Sequence, residues 1–188
     1  MVRGVSRRGE HVSEIAQFGL ETVDAISHLV KANRYLQALV VLYSAIDTLA
    51  WATCSGGDVT RSDFCCWVST YMSPQDRLRC APEDLYAARC GLLHSGAAES
   101  KLSRNGKASE LWYATSPRSV PALEGLANRV GAKVLYVTAL VASFSDGVME
   151  FAEELAGDEA RQREVTERIR RWIRFIPSAS VREGAAAE

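Results

Sequence analysis

No stretch of this sequence stays uncharged and apolar for the roughly 18 residues that a membrane-spanning helix needs. The longest such runs, Tyr35 to Ile46 and Val134 to Ser145, stop short, and no membrane association is expected. The basic residues between Met1 and Gly9 have no apolar segment behind them, so no secretion signal is expected either. Neither charge is in excess: 22 Lys and Arg against 23 Asp and Glu leave a net charge of −1. That balance excludes a surface that is basic overall, and any nucleic-acid contact has to come from a local patch. Histidine is scarce, with three in 188 residues. His11 and His28 have no acid or cysteine at ligand spacing, and each reads as a surface or satisfied core residue. Cysteines are few and odd in number (Cys54, Cys65, Cys66, Cys80 and Cys90), which reads as reduced thiols in a cytoplasm. Cys90 and His94 stand four apart, but no second ligand pair at short spacing joins them, so neither a metal nor a cofactor is expected. Internal repeats and signs of a second domain are also missing.

What is present is ordinary globular material, 47% hydrophobic and 24% charged, enough for one domain with a real core. We assign that domain to residues 1–176 and expect 177–188 to be a disordered tail. Val12, Ile15, Gly19, Val23, Ile26 and Val30 recur at helical spacing and predict an amphipathic helix over 10–31. Residues 34–54 are apolar nearly all round and predict a central helix, with Leu36, Val40, Tyr43, Ala50 and Cys54 on one face. Thr60-x-x-Asp63 is a capping signal for a helix whose Phe64, Trp67, Val68, Tyr71 and Met72 read as core. Further helices are expected from Pro82 to Gly96, from Pro121 through Val130, along Leu140 to Leu155, and from Asp158 through Ile176. Glu110–Thr115 and Lys133–Thr138 have strand-like composition and allow a small two-stranded β-ribbon. The expected fold class is all-α, a bundle of five to six helices with room for that ribbon.

Two charges sit where a core helix should be apolar. Asp47 projects from the middle of the central helix's apolar face, and Arg89 falls within the stripe formed by Leu85, Ala88, Leu92 and Leu93. Each is costly to bury alone, so the economical inference is that they meet. Five residues beyond Arg89, His94 lies in or just past the last helical turn, which Gly96 closes. A fixed cation beside a titratable group suits phosphate chemistry. As a bare pattern Arg-x4-His carries little, since about 0.3 matches arise by chance with 18 Arg and 3 His in this length. Its context adds more: a helix end, an arginine on an apolar face, and a basic loop with Lys101, Arg104 and Lys107 directly after, around the turn at Asn105-Gly106. A second basic patch lies between Arg161 and Arg174, with six Arg against two Glu.

Arg89-x4-His94 at the end of a helix, in a small helical chain with long apolar helices on both sides, resembles the HEPN superfamily of prokaryotic nucleases and nucleic-acid-associated domains. The resemblance spans about Glu10 to Ile176, and only Arg89 and His94 carry over as the functional pair. Cys90 stands where active members often have Asn, Asp or His, and Gly96 where one toxin branch has Tyr. The resemblance implies a homodimeric, metal-independent endoribonuclease acting on single-stranded RNA, with its site shared across a twofold axis. Asp47 and Cys90 would support the site, and Lys101, Arg104 and Lys107 would hold RNA phosphates. A toxin or phage-defence setting, with an antitoxin or other regulatory protein, belongs to the same implication. Two other readings stay open from the residues. One is a non-catalytic module of this kind that binds nucleic acid, a nucleotide or a partner protein. The other is a structural dimerisation domain with Asp47–Arg89 as a clasp and His94 capping helix carbonyls.

Overall fold

The structure is a computed structural model that describes residues 14–54 and 56–169. The expected helix start at 10–13, with His11 and Val12, lies outside the described residues, as do Arg170, Arg171, Trp172, Ile173, Arg174, Ile176 and the tail at 177–188.

Helix α1 (Glu14–Lys31) buries Ile15, Ala16, Gly19, Thr22 and Ile26, a stripe with the helical period. It packs against α2 (Tyr35–Thr53) and against a long helix near the other end of the chain, α8 (Val137–Gly157). Gly19 is required there, because a Cβ at this position would lie 2.5 Å from Val148 Cγ1 on α8. Asn33 turns the chain between α1 and α2 with a φ of 58°. By length and composition α2 could cross a membrane, but half of it is buried inside the fold. Its buried side chains include Leu39, Leu42, Tyr43, Ile46, Leu49 and Ala50.

The apolar face expected on α2 is only partly inside. Tyr43, Ala50 and Cys54 are buried, whereas Leu36 is 58% and Val40 37% exposed. In those first turns Ala38, Leu39 and Leu42, one step round the helix, face the core instead. The far end of α2 is held by Arg168 on α9 (Glu159–Ile169). This arginine donates to Trp51 O (2.9 Å), Gly56 O (2.7 Å) and Cys54 Sγ (3.2 Å), and its guanidinium stacks over the Trp51 ring. The bond to Trp51 O satisfies a carbonyl that the helix end leaves free, and the other two hold the turn that follows.

Thr60 and Asp63 form the capping box expected of α3 (Arg61–Trp67), with Thr60 N donating to Asp63 Oδ2 at 2.8 Å. The helix then loosens into a π-helical turn, Val68–Met72, which ends at Ser73 in a left-handed conformation. Helix α8 is shaped around this turn. Ser143 donates to Met72 O at 2.8 Å, and Gly147 lets the Tyr71 carbonyl approach to where a Cβ would stand only 2.8 Å away. The aromatics of this region are core as expected: Trp67, Tyr71, Phe144 and Phe151 meet with ring centroids 5.1–6.2 Å apart.

After the single turn α4 (Pro74–Arg77) comes α5 (Pro82–Ser95), then the single turn α6 (Lys101–Arg104). Both expected strands form. β1 (Leu111–Ala114) pairs with β2 (Lys133–Tyr136) in parallel, Leu111 opposite Lys133, and α7 (Val120–Val130) is the crossover between them. Val137 and Thr138, expected to continue the second strand, are instead the first turn of α8. Tyr113 anchors β1 to the central helix through a 2.6 Å hydroxyl contact with Tyr43. The fold is mostly helical with this one small sheet. Among the described residues it has more helical segments than the five to six expected, and the single turns α4 and α6 are the ones the sequence did not announce.

Candidate functional site

Helix α5 begins as its sequence suggests. Pro82 occupies the first turn, and Asp84 reaches back to accept from the Ala81 N–H at 2.8 Å. Asp84 is buried and has two more partners, the Ser109 N–H at 2.6 Å and the Lys133 ammonium at 2.7 Å. One carboxylate thus ties the start of α5 to the basic loop's end and to β2. Gly96, at φ 63°, closes the helix, with its N–H on Leu92 O and the Ala97 N–H on Gly91 O. Gly91 lets the following loop fold back, since a Cβ there would meet Ala97 O at 2.6 Å and Glu99 O at 2.9 Å.

Between these fixed ends, Asp47 and Arg89 meet as the two misplaced charges required. Arg89 Nε and Nη2 both bond Asp47 Oδ2, at 2.7 and 2.6 Å, and the two side chains are 16% and 17% exposed. The pair is therefore buried at its base and open at its rim. Nη1 points the other way, to His94 Nε2 at 3.0 Å and Cys90 Sγ at 3.8 Å. A guanidinium only donates, so Nε2 accepts and the ring's own proton sits on Nδ1 in this arrangement. The Tyr86 ring lies 5.9 Å from the guanidinium carbon and is itself braced edge-on by Phe64 at 5.4 Å. His94 is exposed, at the mouth of this cluster.

The electrostatics follow from partial burial. Burial works to lower the Arg89 pKa, but the hydrogen bond and charge of Asp47 outweigh it and the guanidinium is held more firmly charged. At Asp47 the balance reverses: burial raises the carboxyl from its usual value against the pull of Arg89. The two short bonds and the open rim favour the ionised pair, so we take it as an ion pair held at a cost. Burial, followed by Cys90 beside it, raises the Tyr86 phenol. Elsewhere burial pushes the Cys65 thiol to about 11 and Cys80 to about 12, which leaves both as neutral thiols at physiological pH. Among the described residues, no three His, Cys, Asp or Glu side chains converge as a metal-ligand set.

Two cations of the basic loop face a separate cleft. Arg104 and Lys107 line a cleft of about 480 Å³ with Asp84, Glu99, Glu110 and Val130, and neither Arg89 nor His94 lines it. Lys101 is exposed on α6 and does not line that cleft. Of the second basic patch, Arg161 and Arg168 are engaged, with Tyr71 and with the end of α2. Sequence reasoning missed Tyr86, although its position three residues before Arg89 puts it on the same helical face. It also missed Gly91, whose role depends on the path of a loop far from any local signal. Compared with family models, curated proteins and solved structures, the chain matches none of them.

Proposed function

We propose that the chain is a HEPN-like, metal-independent endoribonuclease that cleaves single-stranded RNA and works as a homodimer. The observation that carries this reading is Arg89, fixed by Asp47 and sharing its outer nitrogen with His94 at an exposed helix end. In the reaction, the RNA's own 2′-hydroxyl attacks the adjacent phosphorus. The bond to the 5′-oxygen breaks, leaving a 2′,3′-cyclic phosphate and a 5′-hydroxyl. Arg89 would meet the charge that builds on the phosphate oxygens, replacing its contact to His94 with one to substrate. Released from Arg89, the His94 imidazole would take or give the proton.

One histidine serves poorly as base and acid in the same step, and a twofold axis beside α5 would supply a second. The exposed Leu36 and Val40 lie on the α2 face that carries Asp47, which offers an apolar surface next to the site for a second copy. A cytoplasmic location, with an antitoxin or other regulatory protein, belongs to this reading too.

The test is cleavage of a labelled single-stranded RNA in EDTA, wild type beside His94→Ala. Wild type is expected to cut and leave cyclic-phosphate ends, and the variant to lose roughly 10²–10⁴-fold in rate, the usual contribution of a general acid or base. Loss on chelation that Mg²⁺ or Mn²⁺ restores would defeat the mechanism. A second reading, a non-catalytic module binding nucleic acid, a nucleotide or a partner, draws on Arg89 itself, since Asp47, His94 and Cys90 already engage its nitrogens. RNA binding without cleavage, lost in Arg89→Ala, would select it.

A further inference from the structure

The Arg89–His94 site is closed on itself. Asp47 holds Nε and Nη2 of Arg89 at 2.7 and 2.6 Å, and the remaining end, Nη1, turns to His94 Nε2 at 3.0 Å and Cys90 Sγ at 3.8 Å. The inner side of the guanidinium is therefore fixed, and an oxyanion arriving from solvent competes with His94 for Nη1. His94 is exposed, and among the described residues its ring makes no other hydrogen bond. It is held only by the group that an anion would take from it.

That contact also fixes a charge state. A guanidinium only donates, so Nε2 can accept from it only in the neutral ring. A protonated ring would set a donor against a donor and a cation against a cation, and would swing away. A phosphodiester bound at Nη1 reverses both conditions: it takes the N–H that Nε2 had accepted, and it brings a negative charge beside the ring, which favours imidazolium. The groups around the pair leave that balance in place. Asp47, from α2, is already matched by Arg89, and α5 itself adds only the Tyr86 phenol and the Cys90 thiol. From α3 comes the uncharged Phe64 ring behind Tyr86, and β1 gives its Tyr113 hydroxyl to Tyr43. Beyond α5, Lys101 is exposed, and Arg104 and Lys107 line the separate cleft.

We propose that RNA binding unlatches His94 from Arg89 and charges it: a phosphodiester takes over Nη1, and Nε2 takes up a proton from the buffer. This rests on the RNA reading above and deepens it. The histidine released by the phosphate becomes the acid that protonates the leaving 5′-oxygen, and the base falls to a neutral histidine across the twofold axis.

The test is calorimetric titration of the full chain with 2′-O-methyl RNA, which keeps the phosphates but has no free 2′-hydroxyl to attack. Repeated at one pH in buffers of different ionisation enthalpy, it counts the protons exchanged on binding. Wild type is expected to take up as much as about one proton per RNA, and to bind up to about ten-fold tighter for each unit of falling pH while it does so. His94→Gln keeps an acceptor for Arg89 but cannot titrate, and is expected to lose the uptake. If that variant fails to fold, NMR of the wild-type imidazole signals during the same titration shows whether a ring becomes charged. RNA binding without proton uptake, or uptake that persists in His94→Gln, would overturn the latch while RNA cleavage in EDTA stands as a separate result. Absence of both RNA binding and cleavage would overturn the RNA reading, and the latch with it.

Discussion

Asp47 is read most directly at the scale of a single side chain. Its carboxyl is raised above the ordinary 3.8 by burial, so what it contributes to stability is complete below that value and falls away as pH rises through the raised one. At pH 7 the charge is kept for what it does to Arg89. Asp47→Asn keeps an acceptor oxygen but removes the charge that balances Arg89, and is expected to cost about 1–3 kcal/mol. Asp47→Ala removes the acceptor and strands the guanidinium, at roughly 2–4 kcal/mol, less than for a fully enclosed pair because the rim is open. Denaturant unfolding of the two variants at pH 7 measures the difference. If Asn proved as damaging as Ala, the carboxylate's charge would be holding the helices together. The meeting of Asp47 with Arg89 was legible in the sequence because two opposite charges on two apolar faces leave few other solutions. Tyr86 beside the same guanidinium was not, since it breaks no pattern by being where it is, and Cys90 was named only through its place directly after Arg89.

At the scale of the element, α5 is a rigid bar pinned at both ends. Asp84 fixes its start to Ser109 and Lys133, and the close approach of the 97–99 loop at Gly91 fixes its end. Gly91→Ala would drive a methyl into two backbone oxygens that belong to no flexible side chain. The expected result is a loss of roughly 1–3 kcal/mol, the range for overpacking a tight contact, and a fall in RNA cleavage through displacement of His94. Thermal unfolding and the cleavage assay check the two effects, and full activity in this variant would show that the loop can move without disturbing the site. Periodicity located the long helices, and the capping signals at Thr60 and Asp158 were both found in place. The π-helical turn after Trp67 was not foreseeable, because it answers to Ser143 and Gly147 more than seventy residues away. The boundary at Val137 slipped for a similar reason: β-branched residues favour a strand, but once β2 has paired, the apolar run continues into the core as a helix.

At the scale of the whole molecule, the proposed site is complete only as a pair of chains. Mixtures of wild-type and His94→Ala chains test this. If both histidines act in one site, heterodimers should retain far less than half of wild-type activity, and about half if each protomer works alone. Purified heterodimers carrying two different tags make the measurement direct. Because the net charge is near zero, any attraction for the proposed RNA substrate has to be local, and binding is expected to weaken with salt according to the few phosphates that the site's own cations would meet. A slope that stays flat between low and physiological salt would speak against phosphate contacts at Arg89.

The clasp that Arg168 places on the last turn of α2 has a consequence for how the protein comes into being. The central helix that carries Asp47 is made before its own cap, which follows more than a hundred positions later. The first helix likewise rests on α8 and α9, which are made after it. A nascent chain therefore holds α1 and α2 as a pair with an unfinished end and an open flank until α9 has been made. Stalled or truncated products lacking α9 should expose that flank to proteases.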